Sequence, residues 1–275
     1  MILVQRLCPV LLVFAYLLLT PRLAHSDDAL DCLVEPYVIV KIGSAVNGLI
    51  ETMLVDRGDM VKKGQVLAML ESAAEKAAVD VLRARATLES PIKANQARFE
   101  LSLKNHERSD GMFQKSLLPA DKMDEAETTR RVAEMAVLEA TDNKRLAELE
   151  LQRATAELTR RTIRSPVHGV VMERLLTTGE FIASDRGDPI LRLAQLDPLR
   201  VEVFVPVARL GQIAVGKKAE VMPQAPINGT YIARVTVVDR VADAASGTFG
   251  VRLELPNRDY RIPAGLKCTI RFLRE

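Results

Sequence analysis

Few residues in this chain have side chains that commonly perform chemistry, and those few lie far apart. The histidines are His25, His106 and His168, and none has a cysteine, a histidine or a carboxylate at the spacing of a metal-binding or catalytic motif. The sequence contains no glycine-rich phosphate loop, no nucleophile elbow and no His-Glu-x-x-His motif. These absences predict a protein that is not an enzyme and that has no metal or cofactor site.

The N-terminal residues have the pattern of an export signal. Arg6 precedes an apolar run over residues 7–19, and Ala24-His25-Ser26 places small residues at the two positions that a signal peptidase reads. The sequence therefore predicts a signal peptide that is cleaved before Asp27. The apolar run is shorter than the roughly 20 residues that span a bilayer. An uncleaved membrane anchor is the alternative.

Two of the three cysteines, Cys32 and Cys268, lie near opposite ends of the predicted exported chain. An oxidising compartment favours their joining as a disulfide, and the alternative is a pair of buried free thiols.

The charge of the chain is balanced. Arg6 and Arg22 leave with the predicted signal peptide, so the 38 basic residues become 36 and equal the 36 acidic residues. A net charge near zero gives no support to nucleic-acid binding, which needs a basic face.

A helical segment is predicted over residues 71–161, where Gly111 is the only glycine and Ala, Leu, Glu, Arg and Lys predominate. Its second part has a stripe at alternating spacings of three and four residues, which is the coiled-coil period. That stripe comprises Met123, Ala126, Arg130, Ala133, Val137, Ala140, Lys144, Ala147, Leu151, Ala154 and Leu158. The regular register favours a coiled-coil arm over an ordinary amphipathic helix on a globular core.

The first part of the helical segment, about residues 72–108, is less regular. Proline removes a helix hydrogen bond and clashes with the preceding turn, so Pro91 predicts a kink or a break near residues 87–90. Turn signals at residues 109–111 and 117–121 predict that the two parts form an antiparallel hairpin. The predicted stripe of this first arm comprises Ala74, Ala78, Val81, Leu88, Ile92 and Phe99.

Short alternating strands flank the helical segment on both sides. Gly48 and Gly58 are ten residues apart in the first flank, and Gly169 and Gly179 are ten residues apart in the second. Such self-similarity indicates two copies of one unit, and each copy exposes an apolar face that its mate must cover. We therefore expect the flanks to pair as one small β domain, which brings the two ends of the helical segment together.

These flanks resemble the two halves of the biotinyl/lipoyl domain, whose carrier forms have a modified lysine at the hairpin between the halves. Here Lys76 lies about one turn into the predicted helix. The sequence therefore does not predict a carrier function.

A second β region follows Asp197-Pro198. Strands are expected around residues 201–205, 219–222, 231–238, 248–255 and 268–272. Asn228-Gly229 fits a tight type I′ hairpin turn. Five or six short strands with regular turns predict a small β-barrel.

In this order the segments resemble the HlyD-like membrane fusion proteins, which are the periplasmic adaptor subunits of tripartite efflux systems, especially those of RND transporters. The matching stretches include Val55-Asp-Arg-Gly58-Asp, Arg164-Ser-Pro-Val-His-Gly169, Leu196-Asp-Pro-Leu-Arg-Val and Ser246-Gly-Thr-Phe-Gly250.

The resemblance implies an elongated α+β chain in which a split lipoyl-like β domain carries an inserted α-helical coiled-coil hairpin and precedes a small β-barrel. The predicted divisions are a signal peptide over 1–26, an N-terminal strand and first lipoyl half over 27–70, the hairpin over 71–161, the second lipoyl half over 162–198 and the barrel over 199–275.

The resemblance also implies a non-catalytic periplasmic adaptor that links an inner-membrane transporter, RND rather than ABC, to an outer-membrane channel and that self-associates into a ring. Fuller members continue into a membrane-proximal domain, so contact with the transporter is expected through the barrel or the N-terminal stretch. The alternative is a stand-alone periplasmic binding or carrier module, although a thin helical hairpin lacks the concave pocket that small ligands need.

Family members meet the channel through an Arg, a Leu and a Ser at the hairpin tip. Arg108, Met112 and Pro119 align with them, and only the arginine matches. The resemblance predicts a docking tip over about 108–122, and the alternative is that its apolar residues merely close the coiled-coil seam. The candidate docking residues are Arg108, Met112, Phe113, Leu117, Leu118 and Pro119.

Overall fold

The computed structural model describes residues 29–273, which divide into one unit of residues 38–195 and another of residues 29–37 with 196–273. The predicted signal peptide and its cleavage site before Asp27 lie outside the described residues. The helices are α1 (Ala73–Ala86), α2 (Ser90–Phe113) and α3 (Ala120–Thr159). The strands are β1 (Leu30–Ile42), β2 (Gly48–Met53), β3 (Met60–Val61), β4 (Val66–Leu70), β5 (Thr162–Arg164), β6 (Gly169–Arg174), β7 (Phe181–Ile182), β8 (Leu191–Pro206), β9 (Lys218–Pro223), β10 (Tyr231–Asp243), β11 (Thr248–Leu255) and β12 (Leu266–Phe272).

The strands of the 38–195 unit repeat their contacts at a separation of 121 residues. The Gly58 N–H donates to the Val171 carbonyl at 2.9 Å, and the Gly179 N–H donates to the Ile50 carbonyl at 2.9 Å. Positions 179 and 171 each follow their counterparts, 58 and 50, by 121. By the same separation β2 corresponds to β6 and β3 corresponds to β7, so the β2–β7 pairing corresponds to the β3–β6 pairing. The predicted pairing of two half-repeats is therefore confirmed.

The turns that precede the two half-repeats have corresponding hydrogen bonds. The Ser44 hydroxyl donates to the Val46 carbonyl at 2.5 Å, and the Ser165 hydroxyl donates to the Val167 carbonyl at 2.6 Å. Each serine thus stabilises a tight turn just before the strand that begins the repeat. The two turns are again 121 residues apart.

The glycines of the repeat meet two requirements of this β unit, close backbone packing and left-handed turn conformation. A Cβ at position 169 would lie 2.2 Å from the Ala194 carbonyl oxygen, which is backbone of β8. Gly58 and Gly179 have φ of +93° and +89°, in the region that favours glycine. The spacing that indicated a repeat therefore reflects close packing and turn geometry.

Both arms of the hairpin leave the β unit beside one partly buried ion pair. The Arg161 guanidinium binds the Glu75 carboxylate and also donates to the Asn47 carbonyl at 3.0 Å. Arg161 follows α3 and Glu75 lies in the first turn of α1, so this contact joins the beginning of one arm to the end of the other. The core beneath is apolar and includes the fully buried Ile50, Leu67, Leu70, Ile182, Ile190, Leu191 and Leu193.

The second arm has the seam that its sequence predicts. α3 is one helix of 40 residues, and all eleven predicted seam positions are buried or partly buried. Alanines are the most buried of them, at Ala140, Ala147 and Ala154. Their small size allows the facing helices to approach closely.

The first arm breaks where Pro91 predicts. α1 ends at Ala86, and α2 begins at Ser90 with the proline in its first turn, which is where proline is tolerated. In α2 the predicted Ile92 and Phe99 are partly buried, as expected.

For α1 the predicted stripe is wrong. Val79 and Ala86 are buried, whereas the predicted Ala74, Ala78 and Val81 are exposed. The predicted Leu88, which lies in the break after α1, is exposed as well. Ala86 and Ile92 are six residues apart instead of seven, so the break shifts the helical phase by one residue. A stripe extrapolated back from α2 therefore falls on the wrong face of α1.

Two predicted turns also differ from the structure. Residues 109–111 continue α2, which ends at Phe113, so the turn between the arms is confined to residues 114–119. Seven residues, 224–230, join β9 to β10, so the predicted two-residue turn at Asn228-Gly229 is wrong. Tyr231 faces Val221 across the two strands, and this register centres the connection on Pro226 instead of on Asn228-Gly229.

The other unit is a β-barrel in which strands follow the order β1-β12-β9-β10-β11-β8 and β1 also pairs with β8. Its core comprises Val34, Leu199, Val201, Val203, Val205, Val221, Val251, Leu253 and Ile270 with further buried neighbours. Cys32 and Cys268 face each other across β1 and β12 and form a disulfide, with their Cα atoms 4.8 Å apart. In the described part of the chain, no helix is both long enough and apolar enough to span a membrane.

Candidate interaction surface at the hairpin tip

The tip is a hydrogen-bonded turn that ends α2 without glycine. The Ser116 N–H donates to the Phe113 carbonyl at 2.8 Å, and the Leu117 N–H donates to the Met112 carbonyl at 2.9 Å. This pair of bonds is a Schellman motif, which satisfies the last carbonyls of a helix. The motif needs one left-handed residue, and Ser116 takes that conformation with φ of 58°.

Three of the predicted docking residues present large apolar side chains to solvent. Met112 and Phe113 are each 43% exposed, and Leu117 is 72% exposed. Leu118 is partly buried, and Pro119, which caps α3, is exposed. A residue that closed the seam would be covered by the opposite arm, so of these residues Leu118 fits that role best.

Arg108, the sixth predicted residue, directs its polar contacts back along its own helix. Its Nε donates to the Lys104 carbonyl at 3.2 Å, and its guanidinium also binds the Asn105 side chain. The side chain is exposed and lies more than one helical turn before Phe113. The tip surface is therefore dominated by the apolar group of Met112, Phe113 and Leu117.

Two side-chain contacts beside the turn lie within single helices. Gln114 donates to the Asp110 carboxylate at 2.7 Å, and Lys122 pairs with Glu125 at 2.8 Å. The hydrogen bond from Lys122, with its charge, lowers the pKa of Glu125, and the same bond raises the pKa of Lys122. The exposed apolar side chains of Met112, Phe113 and Leu117 lie between these two contacts along the chain or directly beside them.

Sequence reasoning missed Ser116, whose left-handed backbone shapes the turn. A glycine or asparagine there would have been a recognisable signal, and serine is not. Among residues 29–273, no group of three His, Cys, Asp or Glu side chains could hold a metal ion. His106 lies partly buried on α2 and His168 is exposed on a turn.

Comparison with known proteins places this geometry in a family. A CzcB-like barrel-sandwich hybrid domain matches residues 38–194, and a CusB-like β-barrel domain matches residues 199–275. The chain belongs to the membrane fusion protein family. The resemblance that the sequence motifs indicated is thus confirmed.

Relatives with curated names extend across much of this membrane fusion protein. It is 28% identical over 74% of its length to the nickel-cobalt-cadmium resistance protein NccB of Alcaligenes xylosoxydans xylosoxydans, of which 48% is covered. It is 27% identical over 80% of its length to the macrolide export protein MacA of Yersinia pestis, of which 60% is covered. The chain spans about half the length of the first relatives that it matches.

Solved structures share the fold. MacA from Actinobacillus actinomycetemcomitans aligns with a TM-score of 0.73 at 20% identity, covering 89% of this chain and 78% of that one. The membrane fusion protein Spr0693 from Streptococcus pneumoniae R6 aligns with a TM-score of 0.57 at 14% identity, covering 90% and 99%. The barrel-sandwich hybrid, the helical hairpin and the β-barrel domain together are the membrane fusion protein fold.

Proposed function

We propose that this protein is a periplasmic adaptor that links an inner-membrane transporter to an outer-membrane channel for efflux. The observation that carries the proposal is the exposed apolar tip at the end of a long, thin hairpin. α3 has 40 residues, which corresponds to about 60 Å at 1.5 Å per residue. A projection of this length supports contact with a partner distant from the β strands at the base of the hairpin.

The tip is the proposed docking surface for the channel. Met112, Phe113 and Leu117 form an exposed apolar group at the far end of the arms. Clustered exposed apolar residues are typical of interaction sites.

The transporter is proposed to be of the RND type rather than the ABC type, with its contact on the barrel or the N-terminal stretch. The RND-type barrel model that matches residues 199–275 supports this choice. Relatives named for nickel-cobalt-cadmium resistance and for macrolide export make divalent metal ions and macrolides the two cargo classes to test first.

Photo-crosslinking in native membranes tests the docking proposal. The double variant Arg108→Asp with Leu117→Ser is expected to lose crosslinks from the tip to the outer-membrane channel and to lose efflux, because it removes apolar area and reverses a charge. Leu54→Ser, which changes an exposed leucine outside the hairpin, is the matched control and is expected to retain both. Export level and helical content should be unchanged in both variants. Parental efflux in a folded double variant would contradict the proposal.

Export and the disulfide are proposed together. Mass spectrometry of protein from the native host is expected to find Asp27 at the N-terminus, and an intact Met1 would instead support an anchor. Thiol labelling under denaturing, non-reducing conditions is expected to find Cys32 and Cys268 unreactive. Two labelled thiols in periplasmic protein would contradict the disulfide.

A further inference from the structure

The connection between β8 and β9, residues 207–217, covers one end of the β-barrel. β8 and β9 are separated by two strands in either direction around the barrel, so they lie on opposite walls. A chain that joins opposite walls has to cross the mouth of the barrel. Ile213, near the middle of this end loop, is 7% exposed and belongs to the barrel core. The end loop therefore closes the mouth, with Ile213 directed inwards.

Hydrogen bonds fix both ends of the end loop to the neighbouring strands. The Val207 N–H donates to the Gly247 carbonyl at 3.0 Å, beside β11, and the Gly216 N–H donates to the Val235 carbonyl of β10 at 2.8 Å. Between them the Leu210 N–H donates to the Val207 carbonyl at 2.8 Å. The loop thus has a defined inner side, which packs on the core, and a defined outer side.

The outer side is apolar. Leu210 is 57% exposed and Val215 is 67% exposed, and they lie on either side of the inward Ile213 in the sequence. The contact to Gly247 places the end of the β10–β11 pair beside the loop, and Val241 of β10 is 83% exposed. Exposed apolar side chains that share one end of a domain are typical of an interaction surface. This apolar end group comprises Val207, Leu210, Val215 and Val241.

The end loop is also basic. Residues 203–219 include Arg209, Lys217 and Lys218 and contain no aspartate or glutamate. Lys218 is exposed, and the Lys217 ammonium donates to the Gln212 carbonyl at 2.9 Å, which keeps its charge on the loop. A surface that combines these cations with exposed apolar side chains complements an anionic partner that has an apolar interior.

The acidic side chains of the neighbouring β10 are bound within their own strand pair. The Asp243 carboxylate accepts hydrogen bonds from the Ala245 N–H at 2.9 Å and from the Ser246 hydroxyl at 2.8 Å. The Asp239 carboxylate lies against β11, where a Cβ at position 250 would be 2.3 Å from its oxygen. The acids therefore lie to one side, and the end loop itself presents only positive charge.

The polypeptide enters the barrel at this same end. Leu30 begins β1 and pairs with Ile270, two residues before β12 ends. The predicted export signal, or the alternative membrane anchor, extends to residue 26. Residues 27–29 can span at most about 10 Å when extended. Export, or an anchor that is kept, therefore brings this end of the barrel close to a bilayer.

We propose that the barrel end docks on the headgroup region of an anionic phospholipid bilayer. The apolar end group enters the boundary between headgroups and acyl chains, and Lys217 and Lys218 contact lipid phosphates. Buried apolar area together with attraction to anionic lipids is what binds peripheral proteins to membranes. The contact is made with lipid, so it goes beyond the proposed adaptor function and does not require a transporter.

A single tryptophan tests the lipid contact, because the chain contains none. Leu210→Trp in the full-length protein is mixed with vesicles of phosphatidylethanolamine and phosphatidylglycerol that have brominated acyl chains. Its fluorescence is expected to shift to shorter wavelength and to be quenched, because the indole leaves water and meets bromine. Leu54→Trp and Leu117→Trp, at exposed leucines outside the barrel, are the controls and should show neither change, even where residues 1–26 tether the protein.

Two results of that experiment would overturn the proposal. One is a tryptophan at position 210 that stays unquenched. The other is equal quenching at all three positions, which would show adsorption without a preferred surface.

The electrostatic part of the contact is tested by removing two lysines in the Leu210→Trp background. Lys217→Gln with Lys218→Gln is expected to weaken binding to the anionic vesicles by about tenfold or more. Lys62→Gln with Lys63→Gln changes an exposed adjacent pair outside the barrel and should leave the affinity unchanged. Binding should also weaken as the salt concentration rises.

Vesicles of neutral phosphatidylcholine provide the lipid control, and circular dichroism verifies that the variants are folded. Equal affinity for neutral and anionic vesicles would overturn the proposal. Parental affinity of the folded Lys217→Gln with Lys218→Gln variant would overturn it as well.

A photo-reactive residue at position 210 distinguishes a lipid from a protein as the occupant. In native membranes it is expected to crosslink to phospholipid. Crosslinks to a transporter without any lipid adduct would overturn the lipid contact and support the transporter contact of the proposed function. Lipid adducts in a protein whose tip never crosslinks to a channel and that supports no efflux would support the lipid contact and contradict the adaptor function.

Discussion

The two halves of the 38–195 unit agree in their β strands and differ in their helices. In the strands, corresponding hydrogen bonds recur at a separation of 121 residues, down to the turns at Ser44 and Ser165. In the helices, the second half supplies one unbroken arm, α3, and the first half supplies two, α1 and α2. Pairing imposes symmetry on the β halves because each covers the other, whereas an arm has only to match its partner locally.

The difference between the arms explains why the coiled-coil period predicts the buried residues correctly in one arm and incorrectly in part of the other. α3 keeps one phase over 40 residues, so a single period predicts all its seam positions. In the first arm, the buried Ala86 and the partly buried Ile92 are one residue closer in sequence than the coiled-coil repeat requires. Extending the repeat of α2 backwards across the break therefore predicts that Val81 is buried, whereas the buried residue is Val79. An apolar stripe is reliable only within an uninterrupted helix, and the misassigned residues of α1 belong to an outward surface.

The largest expected effect comes from breaking the symmetry of the β halves at corresponding glycines. In Gly169→Ala the new Cβ meets the Ala194 carbonyl oxygen at 2.2 Å, and that backbone atom cannot move freely. In Gly48→Ala the nearest atom, at 2.7 Å, is the end of the Arg161 side chain. We expect a loss of about 3 kcal/mol in unfolding free energy for position 169 and about 1 kcal/mol for position 48.

Urea unfolding of the two variants in parallel measures this difference. Equal destabilisation at both positions would contradict this prediction, because it would show that the backbone near position 169 adjusts to a new Cβ as easily as the Arg161 side chain near position 48.

The phase shift in the first arm is tested by two valines that are two residues apart. Val79 is 2% exposed and Val81 is 68% exposed. Val79→Ala is expected to destabilise the protein by about 2 kcal/mol through lost burial and a small cavity. Val81→Ala should change stability little, since alanine is the better helix former. Thermal unfolding that ranks the valines in the opposite order would restore the stripe that the sequence predicted.

Much of the fold was accessible from sequence because it depends on local periodicity and on glycine. The half-repeats, the α3 seam, the break near Pro91 and the barrel strands all follow from such signals. The phase of α1 was not accessible, because it depends on how many residues the break consumes. The tip was predicted approximately, but α2 runs through Gly111 to Phe113, since one glycine inside a helix costs only about 1 kcal/mol.

The ion pair between Arg161 and Glu75 has no counterpart in the comparison so far, and its removal tests why position 48 tolerates a side chain better than position 169. Arg161→Ala removes the contacts to Glu75 and to the Asn47 carbonyl. We expect a loss of about 1 to 2 kcal/mol in unfolding free energy, because the side chains of Arg161 and Glu75 are both partly buried. The same change removes the atom nearest to a Cβ at position 48. Gly48→Ala should therefore be less destabilising in the Arg161→Ala background than in the parent, which a double-mutant cycle measures. Additive losses would show that the glycine is needed for another reason.

The smallest expected effect lies where the two arms meet. Ser116 holds a left-handed backbone, with φ of 58°, that the Schellman turn requires. A side chain in that region is strained by roughly 1 kcal/mol relative to glycine, whereas glycine has more conformational freedom to lose on folding, so Ser116→Gly should stabilise the protein by about 0.5 kcal/mol. The exposed Ser90, in the first turn of α2, provides the control: Ser90→Gly lies in a right-handed helix and should destabilise by a similar amount. Thermal unfolding measures both changes. A loss of stability in Ser116→Gly would mean that the serine side chain itself stabilises the turn. The tip would then depend on side-chain contacts as well as on the Schellman hydrogen bonds.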